Sequence, residues 1–453
     1  MAASITRALG AFVSGLHFEA IPPEAAAVAR TGFIDLVGVM IAGREEPVVG
    51  ILRDTLGVAG PRGEATLTFG PLRAPAPEAA LINGTAAHAL DYDDVALRGH
   101  PSTVLVPAIL AEGEALGATG AEMVAAYVAG YEVWAELIAH DQDFHHEKGW
   151  HPTGVFGAIG AAAACARLRG LDAERAAHAI ALGASNSAGL GSNFGTMTKP
   201  FHAGRAAQAG VMSARLAEAG MTASLDAIEH PRGFLYAVSP HGRVTGLDAP
   251  TEGFGQHWRI LEHRLSIKKF PICYCGHRAT DAMLALLARR PFEPEEVEAI
   301  EMVTSRAHAG TLRNTQPQTG LEAKFSGQFD MAAAVIAGKV GLVELTDSFV
   351  QRPDVQALME RVTVTPTEEV DPALPGAAPF DTVRVALRSG ERLEESVRRA
   401  RGHAAVPLTD DELRVKFMDC LEFAGEGRRA AALFERLSNI VMLGAAVELE
   451  AAA

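Results

Sequence analysis

Cysteine is scarce in this sequence. Four cysteines are scattered through 453 residues: Cys165, Cys273, Cys275 and Cys420. They are too few and too far apart for a disulfide framework in a chain of this length. The N-terminal segment lacks the basic and long apolar regions of a signal peptide, and no run of about 18 apolar residues follows. We therefore expect a cytoplasmic protein without a membrane partner.

Runs of basic residues are also missing. The formal charge is −15, and the 40 lysines and arginines form no cluster. A nucleic-acid partner would need clustered cations on one surface, so we do not expect this protein to bind nucleic acid. Aromatic residues make up only 6% of the chain, whereas 45 residues are glycine. Small side chains let helices approach closely, which favours helix-on-helix packing.

Helical periodicity dominates the first 265 residues. Apolar side chains recur every three or four positions over residues 25–39, 122–139 and 204–219, which predicts helices. The same periodicity returns over residues 409–420 and continues towards the C-terminus. Both ends of the chain are therefore expected to belong to one helical domain.

The residues between these helical parts have a different pattern. Branched apolar and polar residues alternate over 361–365 and 382–388, which is the two-residue period of strands with one exposed face. We therefore predict a mainly α protein with two domains. They are a large discontinuous all-helical domain, residues 1–265 with 406–453, and a smaller inserted α+β lid domain, residues 266–405.

Three carboxylates stand close together before a Gly-His-Pro turn. They are Asp91, Asp93 and Asp94, and the turn contains His100. Like charges at this spacing repel, so at least one acid should have a raised pKa or a cationic partner. Solvated acids at a helix end, a divalent-metal site and an active-site loop are competing interpretations. The turn pins the backbone and aims an imidazole, which favours the active-site loop.

Three histidines, His145, His146 and His151, lie within seven residues. The i, i+4 pair of a helical zinc site is missing, so metal binding is the weaker interpretation. Glycine and proline around His151 predict a loop that leads into a helix over 155–167. Free N–H groups at a helix start bind carboxylates, and we predict that His151 contacts the substrate there.

A glycine-bounded loop over residues 191–204 contains one lysine, Lys199. It is not a Walker loop, because the Gly-Lys-Ser/Thr sequence is missing. A lone lysine is usually solvated on the surface. The position of Lys199 before a predicted helix also suits a carboxylate clamp or a proton donor tuned by burial.

Cys273, Cys275 and His277 alternate along one segment, so their side chains share a face if the segment is extended. A zinc site would need a fourth ligand and a Cys-x-x-Cys pair, and neither is visible. An iron–sulfur dehydratase would need three or four cluster cysteines. The alternative is that His277 opens a helix over 279–290, where the helix dipole favours the neutral imidazole that a general base needs.

Together these segments resemble the MmgE/PrpD family of 2-methylcitrate dehydratases, cis-aconitate decarboxylases and iminodisuccinate epimerases. The matching stretches are NGTAAHALDYDD with GHPS, GWHPTG, GTMTKPFHAGRAAQAG, KKFPICYCGH and AKFSGQF. They occur in the family's order and span most of the chain. The resemblance implies a helical domain, a smaller α+β lid domain, a homodimer, and no metal or organic cofactor.

The resemblance also implies the site residues. By motif, four residues fall on the family's catalytic positions: Asp91, His100, Lys199 and His277. The same segments supply the predicted substrate contacts: His151, Lys268, Tyr274 and Ser102. Two positions depart from the family's pattern and leave the exact reaction open. Val95 stands where many members have threonine, and Thr103 stands where dehydratases often have aspartate.

The implied chemistry is removal or return of a proton beside a carboxylate of a small di- or tricarboxylic acid. Lys199 and His100 would neutralise the carboxylate, His277 would move the proton, and Asp91 would orient a histidine or accept a substrate hydroxyl. We expect a 2-methylcitrate dehydratase-like lyase. An iminodisuccinate-type epimerase and a cis-aconitate decarboxylase are alternatives that use the same pocket. A non-catalytic binding protein for small organic acids is the alternative from another class.

Overall fold

The computed structural model describes residues 4–372 and 376–452. Its contacts divide the chain into two units, Met1–Leu265 with Asp410–Ala453, and Ser266–Thr409. Helices predominate and the sheets are small, so the predicted mainly α class is confirmed. The lid role of the second unit stays a prediction.

The first unit contains helices and one short antiparallel ribbon. In chain order these are α1 (Ile5–Gly15), α2 (Pro23–Ala42), α3 (Pro47–Thr55), β1 (Ala65–Thr66), β2 (Arg73–Ala74), α4 (Ala76–Ala89), α5 (Ser102–Leu116), α6 (Gly120–His140), α7 (Pro152–Leu168), α8 (Ala173–Ser185), α9 (Thr198–Glu218), α10 (Phe234–Val238) and α11 (Arg259–His263). The helices predicted over 25–39 and 122–139 lie within α2 and α6.

Prediction and structure differ at α9, which begins at Thr198 rather than near Gly204. Lys199 therefore lies in the first helical turn, where Pro200 is tolerated because first-turn N–H groups have no intrahelical acceptor.

The second unit combines short helices with a four-stranded sheet. Its elements are α12 (His277–Arg289), β3 (Val297–Ser305), α13 (Arg306–Thr311), α14 (Gly320–Ala323), α15 (Gly327–Ala337), α16 (Asp347–Val350), α17 (Pro353–Met359), β4 (Val362–Thr367), β5 (Asp381–Leu387) and β6 (Arg392–Val397). The strand order is β4-β3-β5-β6, with β3 parallel to β4 and antiparallel to β5. Alternate residues of β5, among them Val383 and Val385, are buried. The strands predicted over 361–365 and 382–388 match β4 and β5 to within one or two residues.

The segment before α12 forms a turn rather than the extended segment on which the predicted shared face depends, although the side chains of Cys273 and Cys275 still contact each other. A 3-10 turn occupies Tyr274–Gly276, and the Gly276 N–H donates to the Cys273 carbonyl at 3.0 Å. His277 is the first residue of α12, as predicted. Among the described residues, the ligand atoms that converge closely enough for a metal ion belong to another segment of the chain.

The C-terminal helices return to the first unit and pack on α2. They are α18 (Asp410–Phe423) and α19 (Gly427–Ser438). By length and composition α2 could cross a membrane, but 78% of its apolar window is buried inside the protein. Lys416 on α18 pairs with Asp35 on α2 at 2.6 Å. These features are those of a core helix.

Two glycines bring α4 and α9 into close contact. A Cβ atom at Gly204 would lie 2.2 Å from the Leu81 carbonyl oxygen, and a Cβ at Gly84 would lie 2.9 Å from the Gly204 Cα. No larger side chain fits at Gly204 without a shift of the α4 backbone. This close approach fixes the N-terminal turn of α9, which carries Lys199, relative to the C-terminal end of α4.

Candidate active site

The acidic segment leaves α4 through a strained loop. Asp91 has a φ of +52°, and Leu97 and Arg98 have φ values of +50° and +61°. Non-glycine residues pay a free-energy cost in this left-handed region. Ala96 and Gly99 exchange backbone hydrogen bonds of 3.0 and 2.8 Å around the turn. This tight turn stands between the three carboxylates and His100 and sets where the imidazole lies.

Asp93 holds two imidazole rings. His88 Nδ1 lies 2.9 and 3.0 Å from its two carboxylate oxygens. His100 Nδ1 lies 3.0 Å from Asp93 Oδ2 and 2.9 Å from the Asp94 carbonyl oxygen. An ionised carboxylate and a backbone carbonyl only accept hydrogen bonds. Nδ1 must therefore be the donor in both rings.

Burial separates the protonation states of these groups. Burial alone would raise the pKa of Asp93, but His88 and His100 outweigh it and hold that pKa well below its usual range. For Asp94, burial raises the pKa well above its usual range, and the Asp93 charge adds to the shift. Burial lowers the pKa of His88 to about 4, against the opposing effect of Asp93. One carboxylate is thus ionised, its neighbour favours the protonated form, and His88 is neutral near pH 7.

Lys199 pairs with the first acid of the segment, Asp91. Its Nζ atom lies 2.6 Å from Asp91 Oδ1, and both side chains are almost completely buried. The ammonium group also lies 5.8 Å from the centre of the Phe194 ring. The two charges stabilise each other in a site where an unpaired charge would be costly.

Two further histidines adjoin this pair. The Nδ1 atoms of His151 and His202 are 3.1 Å apart, and the His151 ring stacks on that of His88 with centroids 5.7 Å apart. Burial lowers the pKa of both His151 and His202, and Lys199 contributes to each shift. Since both rings are neutral near pH 7, one Nδ1 donates a proton to the other. The helix that follows His151 begins at Pro152, three residues earlier than predicted, so His151 directly precedes α7.

A metal ion is a competing occupant of this cluster. Ligand atoms of His88, Asp91, Asp93 and His100 all lie within 4.8 Å of one another. The Asp93 oxygens, however, already accept hydrogen bonds from both imidazoles. A dication would also meet the Lys199 ammonium, which lies 2.6 Å from Asp91. The residues therefore fit a metal ion poorly, because hydrogen bonds and a like charge occupy its ligand positions.

The predicted site residues of the second unit lie around the start of α12. The His277 Nε2 atom is 3.3 Å from the Ile272 carbonyl oxygen, and its ring centroid is 4.9 Å from that of Tyr274. Burial raises the pKa of Tyr274 to about 12, so its hydroxyl keeps its proton near pH 7. Lys268 is buried, with 1% of its surface exposed.

Among the predicted residues of the first unit, the structure brings together Asp91, His100, His151 and Lys199. Ser102, a predicted substrate contact, is fully buried and forms a 2.7 Å hydrogen bond with the Tyr127 hydroxyl. The sequence analysis named Asp93 only as one of three clustered acids, and it did not identify three other neighbours of these residues: His88, Phe194 and His202. The spacing of His202, three residues after Lys199, would have indicated it once the start of α9 was known.

Comparison with known proteins identifies the family of this chain. The MmgE/PrpD N-terminal domain model matches residues 7–246, and the C-terminal domain model matches residues 270–439. The cis-aconitate decarboxylase of Mus musculus is 26% identical over 436 residues, covering 92% of this chain and 86% of that protein. The Homo sapiens enzyme of the same name is 25% identical, with coverages of 92% and 88%. The Aspergillus terreus cis-aconitate decarboxylase is 24% identical, with coverages of 75% and 73%. Since the two domain models match most of the chain, this protein belongs to the MmgE/PrpD family.

Proposed function

We propose that this protein is a cofactor-independent lyase that moves a proton at a carbon beside a carboxylate of a small di- or tricarboxylic acid. The observation that carries the proposal is the buried Lys199–Asp91 pair, 2.6 Å apart, set among neutral imidazoles. Relatives named cis-aconitate decarboxylase, which match between 75% and 92% of this chain, support it.

The proposed roles follow from the chemistry of the carbon acid. A proton beside a carboxylate is weakly acidic, so positive charge and hydrogen-bond donors must stabilise the enediolate-like charge as it develops. Lys199 would exchange its Asp91 partner for the substrate carboxylate, and Asp91 would then accept a substrate hydroxyl or orient a histidine. His151, and His100 once it is protonated at Nε2, would donate hydrogen bonds to the substrate, and His277 would move the proton at carbon.

We place decarboxylation of a cis-aconitate-like tricarboxylate first, because the similar curated proteins carry that activity in their names. In this reaction the bond between a carbon and one carboxylate breaks, CO₂ leaves, and the released electron pair ends in a new C–H bond. Dehydration of a 2-methylcitrate-like acid is the second candidate, in which a proton and a hydroxide leave neighbouring carbons. Thr103, at a position where dehydratases often have aspartate, favours the first. Epimerisation of a dicarboxylate needs the same proton transfer.

A single experiment separates these reactions. The full-length protein is treated with EDTA, desalted, and incubated in D₂O with cis-aconitate, 2-methylcitrate and a panel of dicarboxylates, and each mixture is followed by proton NMR. Decarboxylation gives CO₂ and a product with deuterium at one carbon. Dehydration gives an alkene, and epimerisation exchanges a C–H proton without loss of mass.

The outcomes also decide between an enzyme and a receptor. Binding of an acid without proton exchange or turnover would overturn the proposal in favour of a binding protein. Activity that returns only with Fe²⁺, Mg²⁺ or Zn²⁺ would overturn its cofactor-independent part. The homodimer and the cytoplasmic location belong to the same proposal, and light scattering on the purified protein tests the first of these.

A further inference from the structure

The three side chains of the His88–Asp93–His100 cluster differ in their access to solvent. The side chains of His88 and Asp93 are completely buried, whereas 14% of the His100 side chain is exposed. A side chain with exposed surface can be approached from solvent without any rearrangement of the protein around it. Of the three, His100 alone has exposed surface that a substrate can approach. Asp93 lies at the Nδ1 edge of its ring.

We propose that Asp93 is a positioning residue for the chemistry of this site, an inference that rests on the proposed function. By accepting a hydrogen bond from the Nδ1–H group of His100, the Asp93 carboxylate leaves Nε2 of that ring to face the substrate carboxylate, to which it donates a hydrogen bond once it is protonated. His88 donates to the same carboxylate through its own Nδ1, at 2.9 Å, and keeps the carboxylate ionised in a buried place.

Asp93 can position His100 because it holds the imidazole ring at one of its two nitrogens. The two nitrogens of an imidazole lie on opposite edges, so fixing Nδ1 also fixes the direction of Nε2. A carboxylate behind the ring stabilises the imidazolium that forms when Nε2 takes a proton, which a neutral acceptor does less well. The second acceptor of His100, the Asp94 carbonyl at 2.9 Å, holds the ring in the same orientation.

The substitution Asp93→Asn tests this role with almost no change in volume. An amide replaces one carboxylate oxygen by an NH₂ donor, so the two Nδ1–H groups must share the single remaining oxygen, or one of them faces a donor. The negative charge is lost as well. We expect kcat for the substrate found above to fall by roughly 10²-fold or more, because removal of a carboxylate behind a catalytic histidine has effects of this size. KM should change by less, since Asp93 does not touch the substrate.

A matched control separates positioning from folding. Glu136 and His140 form another buried carboxylate–imidazole pair in the same unit, 3.1 Å apart, outside the candidate site. Glu136→Gln should lower the melting temperature while kcat per folded molecule stays unchanged. If Asp93→Asn behaves in the same way, with normal kcat and a lower melting temperature, Asp93 only stabilises the loop and the inference is overturned.

A second measurement needs no substrate. Nitrogen-15 NMR of histidine-labelled whole protein, recorded where the rings are neutral, reports which ring nitrogen carries the proton. Single His88→Gln and His100→Gln variants assign the two signals. We expect the proton on Nδ1 in both rings, and a proton found on Nε2 of either ring would overturn the inference. If the protein turns over none of the acids, the proposed function fails, whereas this spectrum still decides whether Asp93 sets the state of the two rings.

Discussion

The two units hold their histidines in opposite ways. In the helical unit, His88 and His100 donate from Nδ1 to a buried carboxylate, at 2.9 and 3.0 Å. In the second unit, the His277 Nε2 atom lies 3.3 Å from the Ile272 carbonyl oxygen. A carbonyl only accepts hydrogen bonds, so in this contact Nε2 carries the proton. The His277 ring also packs against Phe270, with centroids 5.3 Å apart.

This difference suggests a division of labour. A ring backed by a carboxylate is stabilised when it becomes charged, which suits a group that holds positive charge beside an anionic substrate. A ring at a helix start, packed against aromatic side chains, is favoured in its neutral form. A neutral ring suits a group that takes a proton from carbon. We therefore expect the base in the second unit and the carboxylate-binding groups in the first.

The largest effect should come from the second unit. His277→Ala removes the group that moves the proton at carbon, and kcat should fall by roughly 10²–10⁴-fold, the range for a general acid–base residue. Binding of the acid should survive, because Lys199 and His100 remain. Steady-state kinetics, isothermal titration and a melting curve of the same preparation check these outcomes.

A capping role for His277 predicts a different result. Without a part in catalysis, the alanine variant would melt at a lower temperature and turn over normally. That result would break the proposed division of labour, since the base would then be sought in the helical unit, with His100 the next candidate.

The next largest effect concerns Lys199 and Asp91. Lys199→Met leaves a buried carboxylate without its cation, 2.6 Å away in the native protein, and should lower the free energy of unfolding by about 3–5 kcal/mol. KM should rise as well, because a carboxylate clamp also holds the ground state.

The double variant Lys199→Met with Asp91→Asn provides the matched control. It removes both charges, so urea unfolding should recover most of the lost stability while activity stays low. Recovered activity in the double variant would show that the pair is structural, and the helical unit would lose its role in binding the carboxylate.

Local pattern predicted the elements more completely than the site. The two-residue alternation located β4 and β5 to within one or two residues, because strand periodicity is a local property. The start of α9 was missed, since Pro200 and Gly204 both disfavour a helix locally and packing against α4 overrides them. The role of His88 was missed because it looks like one more residue of an alanine-rich helix. Its partner Asp93 follows only five residues later, but the direction of both side chains depends on the left-handed backbone at Asp91.

A smaller effect tests how the helical unit builds its site. Gly204→Ala places a Cβ 2.2 Å from the Leu81 carbonyl oxygen, so α4 and α9 must move apart. We expect a loss of about 1–3 kcal/mol in the free energy of unfolding, as for other overpacked contacts, together with a raised KM because Lys199 moves with α9. Gly310→Ala in the second unit is the control, because a Cβ there meets nothing within 4 Å. Gly310→Ala should leave the free energy of unfolding unchanged or raise it by about 0.4–1 kcal/mol. Equal losses of unfolding free energy in the two variants would contradict the close contact between α4 and α9.

The smallest effect concerns one buried histidine in each unit, His88 and His308, which share a lowered pKa but differ in their proposed part in the reaction. Burial is the main cause that lowers the pKa from 6.5 to about 4 for His88 in the first unit and for His308 in the second. Above about pH 6.5 both rings are neutral in the folded and unfolded states. Between 6.5 and 4 only the unfolded chain takes up the proton, so each ring lowers stability as the pH falls, by up to about 1.4 kcal/mol per pH unit. Because glutamine does not titrate, the stability of the wild type relative to His88→Gln or His308→Gln should decrease over this range in urea unfolding at pH 7, 6 and 5.

The two variants should differ in their activity at pH 7. His88→Gln should be less active, because His88 contacts Asp93, whereas His308→Gln should keep its activity, because His308 has no part in the proposed reaction. Normal turnover in His88→Gln would show that the carboxylate positions His100 without its second donor, whereas a pH-independent stability difference would show that the ring is not held neutral by burial.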